Sequence, residues 1–135
     1  MVERSNNTVQ IRSEADIITV RKVVREASQA MGFNITDITR IVTATSELTR
    51  NVYLYAGEGS MHWQEIRQGL KTGIELQFKD DGPGIEDIEQ AMEPGFTSGG
   101  GLGLGLPGAK RLMDEMEIDS QVNKGTLVII RKWMR

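Results

Sequence analysis

The residues best suited to chemistry stand in three short stretches, and the first is Ser-Glu-Leu-Thr-Arg-Asn at 46–51. Glu47 and Asn51 are four positions apart, so on a helix they occupy one face. A carboxylate there is able to take a proton from an attacking hydroxyl group, and an amide oxygen is a ligand that Mg²⁺ accepts. The same pair is also compatible with two solvated polar residues near the end of a helix.

The second stretch, Asp-Asp-Gly-Pro-Gly at 80–84, directly follows an apolar strand pattern. Asp, Gly and Pro are typical turn residues, so a plain turn is one interpretation. Asp80 also ends the strand, where its carboxylate is placed to meet a ligand at the edge of the sheet. Because a carboxylate accepts hydrogen bonds, it is suited to recognise the amino group of adenine.

The third stretch, Gly-Gly-Gly-Leu-Gly-Leu-Gly-Leu-Pro-Gly at 99–108, is mostly glycine. Glycines allow backbone N–H groups to converge on an anion without obstruction by Cβ atoms. A helix that follows adds its positive N-terminal end. The sequence therefore predicts a loop that binds phosphate groups, and the leucines between the glycines are expected to attach one side of that loop to the core.

Three other interpretations of the glycine run compete with the phosphate loop. A flexible linker is one, although its spacers would be serine, threonine or charged residues rather than leucine. A dinucleotide-binding fingerprint is another, since Gly103, Gly105 and Gly108 have the required spacing, but no strand pattern precedes them. A Walker A loop requires Lys-Ser or Lys-Thr after the last glycine, and the chain has Ala109-Lys110.

The elements that must position these stretches follow from periodicity and end signals. One helix is predicted from an N-cap at Ser13 to Gly32, and a second from an N-cap at Asn34 to about Ala56. A short helix is predicted at 86–92, and a last one from Leu106, after the glycine loop. Strands are predicted at 8–12, 61–67, 73–79, 117–122 and 126–133. This order predicts an α+β fold with one mixed sheet and helices on one face, in a single domain over 1–135.

Composition removes several classes of function. The chain has 135 residues, a net charge of −3, one histidine and no cysteine. Nucleic acid and anionic membranes are therefore not expected as partners, and cysteine nucleophiles and cysteine-based metal sites are excluded. The polar N-terminal residues have no signal-peptide pattern, which favours a cytoplasmic location. His62, on a predicted strand, is interpreted as structural.

Taken in order, Glu47-x-x-x-Asn51, Asp80-x-Gly82-x-Gly84 and the run from Gly101 to Gly105 resemble the motifs of the GHKL ATP-binding superfamily. That superfamily includes DNA gyrase and the sensor histidine kinases. Within it, the segments SELTRNVYLYAGEG and GFTSGGGLGLGLPGAKRLMDE most resemble the bacterial serine kinases that act by partner switching, in particular the switch-protein kinase of the stressosome. The resemblance spans almost the whole chain.

The resemblance implies a Bergerat fold that uses ATP and Mg²⁺. It implies that Glu47 is the catalytic base, that Asn51 is the Mg²⁺ ligand, and that Asp80 binds adenine with help from Thr126. The residues that it implies shape the adenine pocket or line the phosphates are Gly82, Gly84, Gly101, Leu102, Gly103, Leu104 and Gly105. Residues 93–100 would form a lid over the nucleotide, and the residues themselves leave open whether Lys110 or Arg111 contacts a phosphate.

The resemblance also implies partners. The substrate would be a serine or threonine of a STAS-domain antagonist protein in the stressosome, and the released kinase would activate a PP2C-type phosphatase. Two alternatives remain, an anti-sigma factor kinase that sequesters a sigma factor and a nucleotide-binding regulator without transferase activity. Anti-sigma kinases usually carry His-Gly where this chain has Tyr55-Ala56-Gly57, and sensor kinases usually carry a basic residue at the position of Leu54.

Overall fold

The computed structural model describes residues 7–85, 92 and 102–135. Its strands are β1 (Thr8–Ile11), β2 (Gly59–Gln68), β3 (Lys71–Asp80), β4 (Glu115–Gln121) and β5 (Gly125–Trp133). Its helices are α1 (Ala15–Met31), α2 (Ile35–Asn51) and α3 (Leu102–Leu112), and a π-helical turn (Val52–Ala56) extends α2. The short helix predicted at 86–92, the lid at 93–100 and Gly101 fall outside the described residues, apart from Met92.

The five strands form one sheet in the order β1-β2-β3-β5-β4, and every neighbouring pair is antiparallel. The predicted α+β class is confirmed, but the predicted mixed sheet is wrong. Short hairpins join β2 to β3 and β4 to β5, which makes each of those pairs antiparallel. Because β5 also pairs with β3 in the opposite direction, with Asp80 opposite Thr126, no parallel pair arises among the described strands.

The core lies between the sheet and the helices, which pack on one face. Alternate residues of β3 point into it, as the sequence predicted: Ile74, Leu76 and Phe78 are all buried. They pack in one cluster with the apolar stripes of α1 and α2. Burial of this apolar surface is the main stabilising contribution, at about 25 cal/mol per Å². None of the helices described is both long enough and apolar enough to cross a membrane.

The ends of the first two helices show one correct and one wrong prediction. At α2, the Asn34 side chain accepts a 2.8 Å hydrogen bond from the N–H of Asp37, which confirms the predicted cap. At α1, Ser13 does not cap the helix, because the N-cap residue is Glu14 and it makes no side-chain bond. The Asp16 carboxylate instead accepts the N–H groups of Arg12 and Ser13, at 2.7 and 3.0 Å.

Helix α3 begins at Leu102, so Gly103 and Gly105 lie in its first turns and not in a preceding loop. The predicted loop ending near Gly105 is therefore wrong for the part that the structure describes. Each glycine weakens a helix by about 1 kcal/mol relative to alanine, and Pro107 supplies no N–H group. Burial of Leu106 and Ala109 in the core outweighs these local penalties.

A buried lysine joins the N-terminal end of α2 to the C-terminal end of α3. The Lys132 side chain is only 5% exposed, and its Nζ donates a 2.8 Å hydrogen bond to the carbonyl of Leu112, the last residue of α3. The same Nζ lies 3.8 Å from Asp37, in the first turn of α2, and 3.7 Å from Asp114. One cation of β5 thus holds two helices together.

The other face of the sheet carries a polar network around Glu75. This carboxylate is buried, and it accepts hydrogen bonds from Gln64, Gln77 and Arg131 at 2.8, 2.9 and 2.8 Å. Burial raises the pKa of Glu75, but these three hydrogen bonds outweigh burial and leave the pKa below its ordinary value. The network satisfies a charge that would otherwise be costly to bury.

Candidate functional site

A pocket opens between α2, the π-helical turn and the ends of β3 and β5. It encloses about 480 Å³ of space, counted out to its open mouth. Apolar side chains form most of its wall, among them Leu48, Val52, Phe78, Leu106 and Val128. Its polar lining comes from residues on separate elements: Asn51, Tyr55, Asp80 and Thr126.

Asp80 is the acidic group of the pocket. Its Oδ1 accepts a 2.9 Å hydrogen bond from the N–H of Gly82, two residues further along the chain. Burial raises the pKa of the Asp80 carboxyl above its ordinary value, and hydrogen bonds from the backbone of Gly82 and Thr126 offset only part of that rise. A partly desolvated carboxylate of this kind binds a donor group strongly when one enters the pocket.

Glycines let three chain segments approach one another around Asp80. A Cβ on Gly82 would lie 2.6 Å from the Ala56 side chain. Gly84 and Gly125 have φ angles of +78° and +95°, and a Cβ on them would collide with the carbonyl oxygens of Gln121 and Asp80, respectively. Both the backbone conformation and the lack of space therefore require glycine at these two positions.

Thr126 faces Asp80 across the β3–β5 pairing and lines the pocket. Its hydroxyl is 2.7 Å from that of Ser120 on β4. The Ser120 oxygen also accepts a 2.8 Å hydrogen bond from the N–H of Ile85. Ser120 therefore holds both Thr126 and the chain that follows the Asp-Asp-Gly-Pro-Gly turn. In this way it positions residues at the edge of the pocket.

Two polar atoms at the pocket are buried without a partner among the described residues, namely Nδ2 of Asn51 and the hydroxyl oxygen of Tyr55. An unpaired buried polar atom costs about 1–3 kcal/mol. Both residues stand where α2 passes into the π-helical turn, and such turns are frequent at functional sites. These two atoms are the hydrogen-bonding groups of the pocket lining that the described residues leave unsatisfied.

Glu47 lies at the margin of this pocket. Its neighbours Leu48 and Asn51 line the pocket, while Glu47 does not. The Glu47 side chain is 39% exposed, and it forms a 3.6 Å ion pair with Arg50. This position suits a group that meets a reactant arriving from solvent.

The glycine run approaches the pocket through α3. Leu106, which is 2% exposed, lines the pocket, as expected for a leucine that attaches this segment to the core. The backbone of Leu102, Gly103, Leu104 and Gly105 forms the start of the helix. The first N–H groups of any α-helix have no intrahelical acceptor, so they are available to an anion.

The described residues fit Mg²⁺ only in a limited way. They contain no group of three histidine or acidic residues able to hold a metal. Asn51 supplies one amide at the pocket. Mg²⁺ is usually held by one or two protein groups together with phosphate oxygens and water, so a site completed by a bound triphosphate fits this arrangement.

The structure thus brings together Asn51, Asp80, Gly84 and Thr126, with Gly82 beneath Ala56 and Glu47 at the margin. Sequence reasoning missed Tyr55 and Ser120 as site residues. No spacing rule identifies Ser120, because its role depends on hydrogen bonds to residues 35 positions before it and 6 after it. Tyr55 follows Asn51 by one helical turn, and that spacing was a usable signal.

Comparison with known proteins agrees with this geometry. The family model described as "Histidine kinase-like ATPase domain" matches residues 12–132. The chain is 46% identical to the serine/threonine-protein kinase RsbT of Bacillus subtilis over 127 residues, which cover 94% of this chain and 96% of RsbT. It is 36% identical to the anti-sigma F factor of Caldanaerobacter subterraneus, over 84% of this chain and 82% of that protein.

A solved structure supports the fold. The RsbU and RsbW domains of Rv1364c from Mycobacterium tuberculosis superpose with a TM-score of 0.66, over 95% of this chain and at 20% identity. This chain spans 33% of that protein. The match over nearly all of the chain shows that this protein belongs to the histidine kinase-like ATPase family, and its sequence is similar to RsbT and to the anti-sigma F factors.

Proposed function

We propose that this protein is an ATP-dependent serine/threonine kinase whose substrate is a STAS-domain antagonist protein. The observation that carries the proposal is the pocket itself, with a half-buried carboxylate on one side and two unpartnered polar atoms on the other. The 46% identity to a serine/threonine-protein kinase supports the same activity.

In this proposal each described residue has a distinct task. Asp80 accepts a hydrogen bond from the adenine amino group, and Thr126 helps to hold the base. Asn51 contributes an amide oxygen to Mg²⁺, whose chemistry is to neutralise charge on the phosphate oxygens. The start of α3, including Gly103, faces the phosphates with N–H groups that have no intrahelical acceptor. Gly101, Leu102, Leu104 and Gly105 belong to the same proposed phosphate segment.

Transfer requires an acceptor hydroxyl that comes from another protein. Its oxygen forms a bond to the γ-phosphorus as the bond from that phosphorus to the bridging oxygen of ADP breaks, and Glu47 takes the hydroxyl proton. The exposed position of Glu47 at the pocket margin is where such a hydroxyl arrives. A general base contributes about 10²–10⁴-fold to the rate.

We further propose that phosphorylation releases the kinase from a stressosome scaffold, and that the free kinase binds and activates a PP2C-type phosphatase in the cytoplasm. This extension is supported by the identity to RsbT over nearly the whole of both chains. The absence of cysteine is compatible with a reducing compartment.

The decisive experiment is incubation of the purified chain with γ-labelled ATP, Mg²⁺ and a purified STAS-domain protein. We expect label on the STAS-domain protein with wild-type kinase and a loss of about 10²-fold or more with Glu47→Gln. Nucleotide affinity should be retained in Glu47→Gln, because Glu47 does not line the pocket. Transfer at the wild-type rate by Glu47→Gln would refute the proposed role of Glu47 as the base. Absence of any transfer by the wild-type protein would refute the proposed kinase activity.

A second function is favoured by the 36% identity to an anti-sigma F factor, namely sequestration of a sigma factor. Pull-down with purified PP2C-type phosphatase and purified sigma factor, side by side, separates the two. Capture of the phosphatase supports the switch kinase, whereas capture of the sigma factor alone supports the anti-sigma function.

A further inference from the structure

A polar row crosses the inner face of the sheet beside the pocket around Asp80, here called the nucleotide pocket. The row consists of Ser120 on β4, Thr126 on β5 and Asp80 on β3, because Ser120 pairs with Thr126 and Thr126 pairs with Asp80. Thr126 and Asp80 line the nucleotide pocket, whereas Ser120 does not. Ser120 therefore affects a bound ligand only through its neighbours.

Ser120 lies at a position of β4 where the alternation of the strand predicts an apolar residue. Met116 and Ile118 precede it on the same face of the strand, and both pack against the core cluster. An apolar residue at position 120 would bury more apolar surface, which is stabilising. The hydrogen bonds of the Ser120 hydroxyl, and not its packing, therefore account for serine at this position.

The Ser120 hydroxyl is fully engaged by its neighbours. Its oxygen accepts the N–H of Ile85 at 2.8 Å, it donates to the Gly125 carbonyl at 3.1 Å, and it lies 2.7 Å from the hydroxyl oxygen of Thr126. A serine hydroxyl has one proton and two lone pairs. The Gly125 carbonyl takes the proton, since a carbonyl only accepts, and the Ile85 N–H uses one lone pair. The other lone pair is left for Thr126, so Thr126 donates its own proton to Ser120.

The direction of this bond fixes what Thr126 offers to a ligand. Because its proton is committed to Ser120, the Thr126 oxygen is able to accept a hydrogen bond from a ligand but not to donate one. Asp80, which faces Thr126 across the β3–β5 pairing, is also an acceptor when it is ionised. Asp80 and Thr126 therefore present acceptors side by side, and a ligand group that fits them carries hydrogens.

An exocyclic amino group has the hydrogens that this pair of acceptors requires. Adenine carries such a group on its six-membered ring, and hypoxanthine, which has nearly the same shape, carries a carbonyl oxygen at the same place. Asp80 alone separates these bases incompletely, because hypoxanthine also has a ring N–H that a carboxylate accepts. A second acceptor with a fixed direction makes the carbonyl oxygen unfavourable, since two acceptors then face each other without a hydrogen bond.

We infer that Ser120 is a positioning residue that sets the preference of the nucleotide pocket for a purine with an amino group, because it holds the Thr126 hydroxyl as an acceptor. This inference rests on the proposed ATP-dependent function and extends it to a residue outside the pocket lining. Without Ser120, the Thr126 hydroxyl is free to turn and donate to the oxygen of hypoxanthine. Loss of the Ser120 hydroxyl should therefore reduce discrimination between the two bases, and not merely the affinity for both.

The test measures the Kd of ATP and the Kd of ITP, which carries hypoxanthine, by calorimetric titration of the purified chain with Mg²⁺. Ser120→Ala should lower the ratio of the ITP Kd to the ATP Kd about fivefold or more. Ser60→Ala on β2 is the matched control, because Ser60 is also half-buried and does not line the nucleotide pocket. The control should leave both Kd values within about twofold of wild type.

Two more variants make the result independent of Ser120→Ala alone, and thermal unfolding checks that each variant is folded. Thr126→Val removes the hydroxyl and keeps the shape of the side chain, so it should lower the ITP-to-ATP ratio by itself. Ser120→Ala added to Thr126→Val should change the ratio no further, because Ser120 acts through that hydroxyl. A further fall of the ratio in the double variant would overturn the action through Thr126.

The remaining outcomes separate this inference from the proposed function. An unchanged ratio in Ser120→Ala, with both nucleotides weakened equally, indicates a purely structural role and overturns the inference. An unchanged ratio in Thr126→Val, or an equal fall of the ratio in Ser60→Ala, also overturns it. If the wild-type chain binds ITP as tightly as ATP, the inference fails while the nucleotide site stands, and if it binds neither, the proposed function fails as well.

Discussion

Oδ1 of Asp80 and the amide N–H of Gly82 are joined by a 2.9 Å hydrogen bond across the turn that ends β3. This bond holds the carboxylate in a fixed orientation at the pocket, and it is possible because Gly82 packs directly against Ala56 without a side chain. The turn therefore sets the orientation of the Asp80 carboxylate, the group that we propose binds adenine, without any ligand.

Asp80→Asn should abolish detectable ATP binding in a calorimetric titration while leaving the fold intact. The amide keeps an acceptor for the Gly82 N–H group, but it removes the charge that strengthens a hydrogen bond to a donor. Asp81→Asn is the matched control, since Asp81 is exposed and does not line the nucleotide pocket. Normal affinity in Asp80→Asn would contradict the assignment of Asp80.

The same variant should be as stable as wild type, or more stable, without nucleotide. The pKa of Asp80 is raised in the folded protein, so the native state binds more protons than the unfolded chain as pH rises from the unfolded value of 3.8 to the raised folded value. Stability contributed by Asp80 therefore falls over that interval, and Asn removes this loss. Thermal unfolding at neutral pH measures the difference.

Gly84→Ala and Gly108→Ala should have opposite effects. Alanine at Gly84 combines a φ of +78° with a collision against the Gln121 carbonyl, and we expect a loss of about 1–3 kcal/mol of stability. Gly108 lies within α3, and a Cβ there would meet no described atom outside its own helix within 4 Å, so alanine should stabilise the helix by about 0.5–1 kcal/mol. Chemical denaturation of both variants checks the contrast, and equal destabilisation would contradict it.

Tyr55→Phe tests the unpartnered hydroxyl at the pocket. Removal of a buried hydroxyl that lacks a hydrogen bond should leave the free protein equally stable or more stable, by about 1 kcal/mol. If the hydroxyl bonds to bound nucleotide, the same change should weaken ATP binding by about three- to tenfold. Tyr53→Phe provides a control on the same turn, because Tyr53 does not line the pocket. Unchanged affinity in Tyr55→Phe would exclude a contact with the ligand.

Glu75→Gln should reduce stability at neutral pH and lose its effect in acid. Because the pKa of Glu75 is lowered on folding, its contribution is complete above the unfolded value of 4.5 and is lost as pH falls through the folded pKa. At pH 7 we expect a cost of about 1–3 kcal/mol by urea denaturation. Glu65→Gln, in an exposed ion pair with Arg67, should cost less than about 1 kcal/mol. A cost for Glu75→Gln that persists unchanged at low pH would contradict this account.

Local patterns predicted the parts of the fold that local physics decides. The alternation of Ile74, Leu76 and Phe78 and the cap at Asn34 were both predictable, because each depends on residues that are close in sequence. Ser13 failed as a cap because its backbone carbonyl, and not its side chain, accepts the N–H of Asp16, at 3.0 Å, and the helix starts one residue later with Glu14 as its N-cap. The start of α3 at Leu102 was not predicted, because Gly103 and Gly105 in its first turns are poor helix formers.

The candidate site shows the same division. Asn51, Asp80 and Thr126 could be named from motifs, and the structure brings them to one pocket. The need for glycine at Gly125 depends on the Asp80 carbonyl, which lies 45 positions earlier in the sequence and becomes its neighbour only when β3 pairs with β5. Such long-range requirements leave no local signal in one sequence.

Lys132 contacts one end of α2 and one end of α3. Asp37 and Asn51 are 14 residues apart on α2, which is about 21 Å along the helix axis. If Lys132 fixes the Asp37 end of α2, a tilt of the helix by only about 3° moves Asn51 by about 1 Å. A displacement of that size at a reacting centre is able to slow a reaction about 100-fold. In the proposed kinase, the placement of Asn51 at the phosphates would therefore depend on an ammonium group at the opposite end of α2.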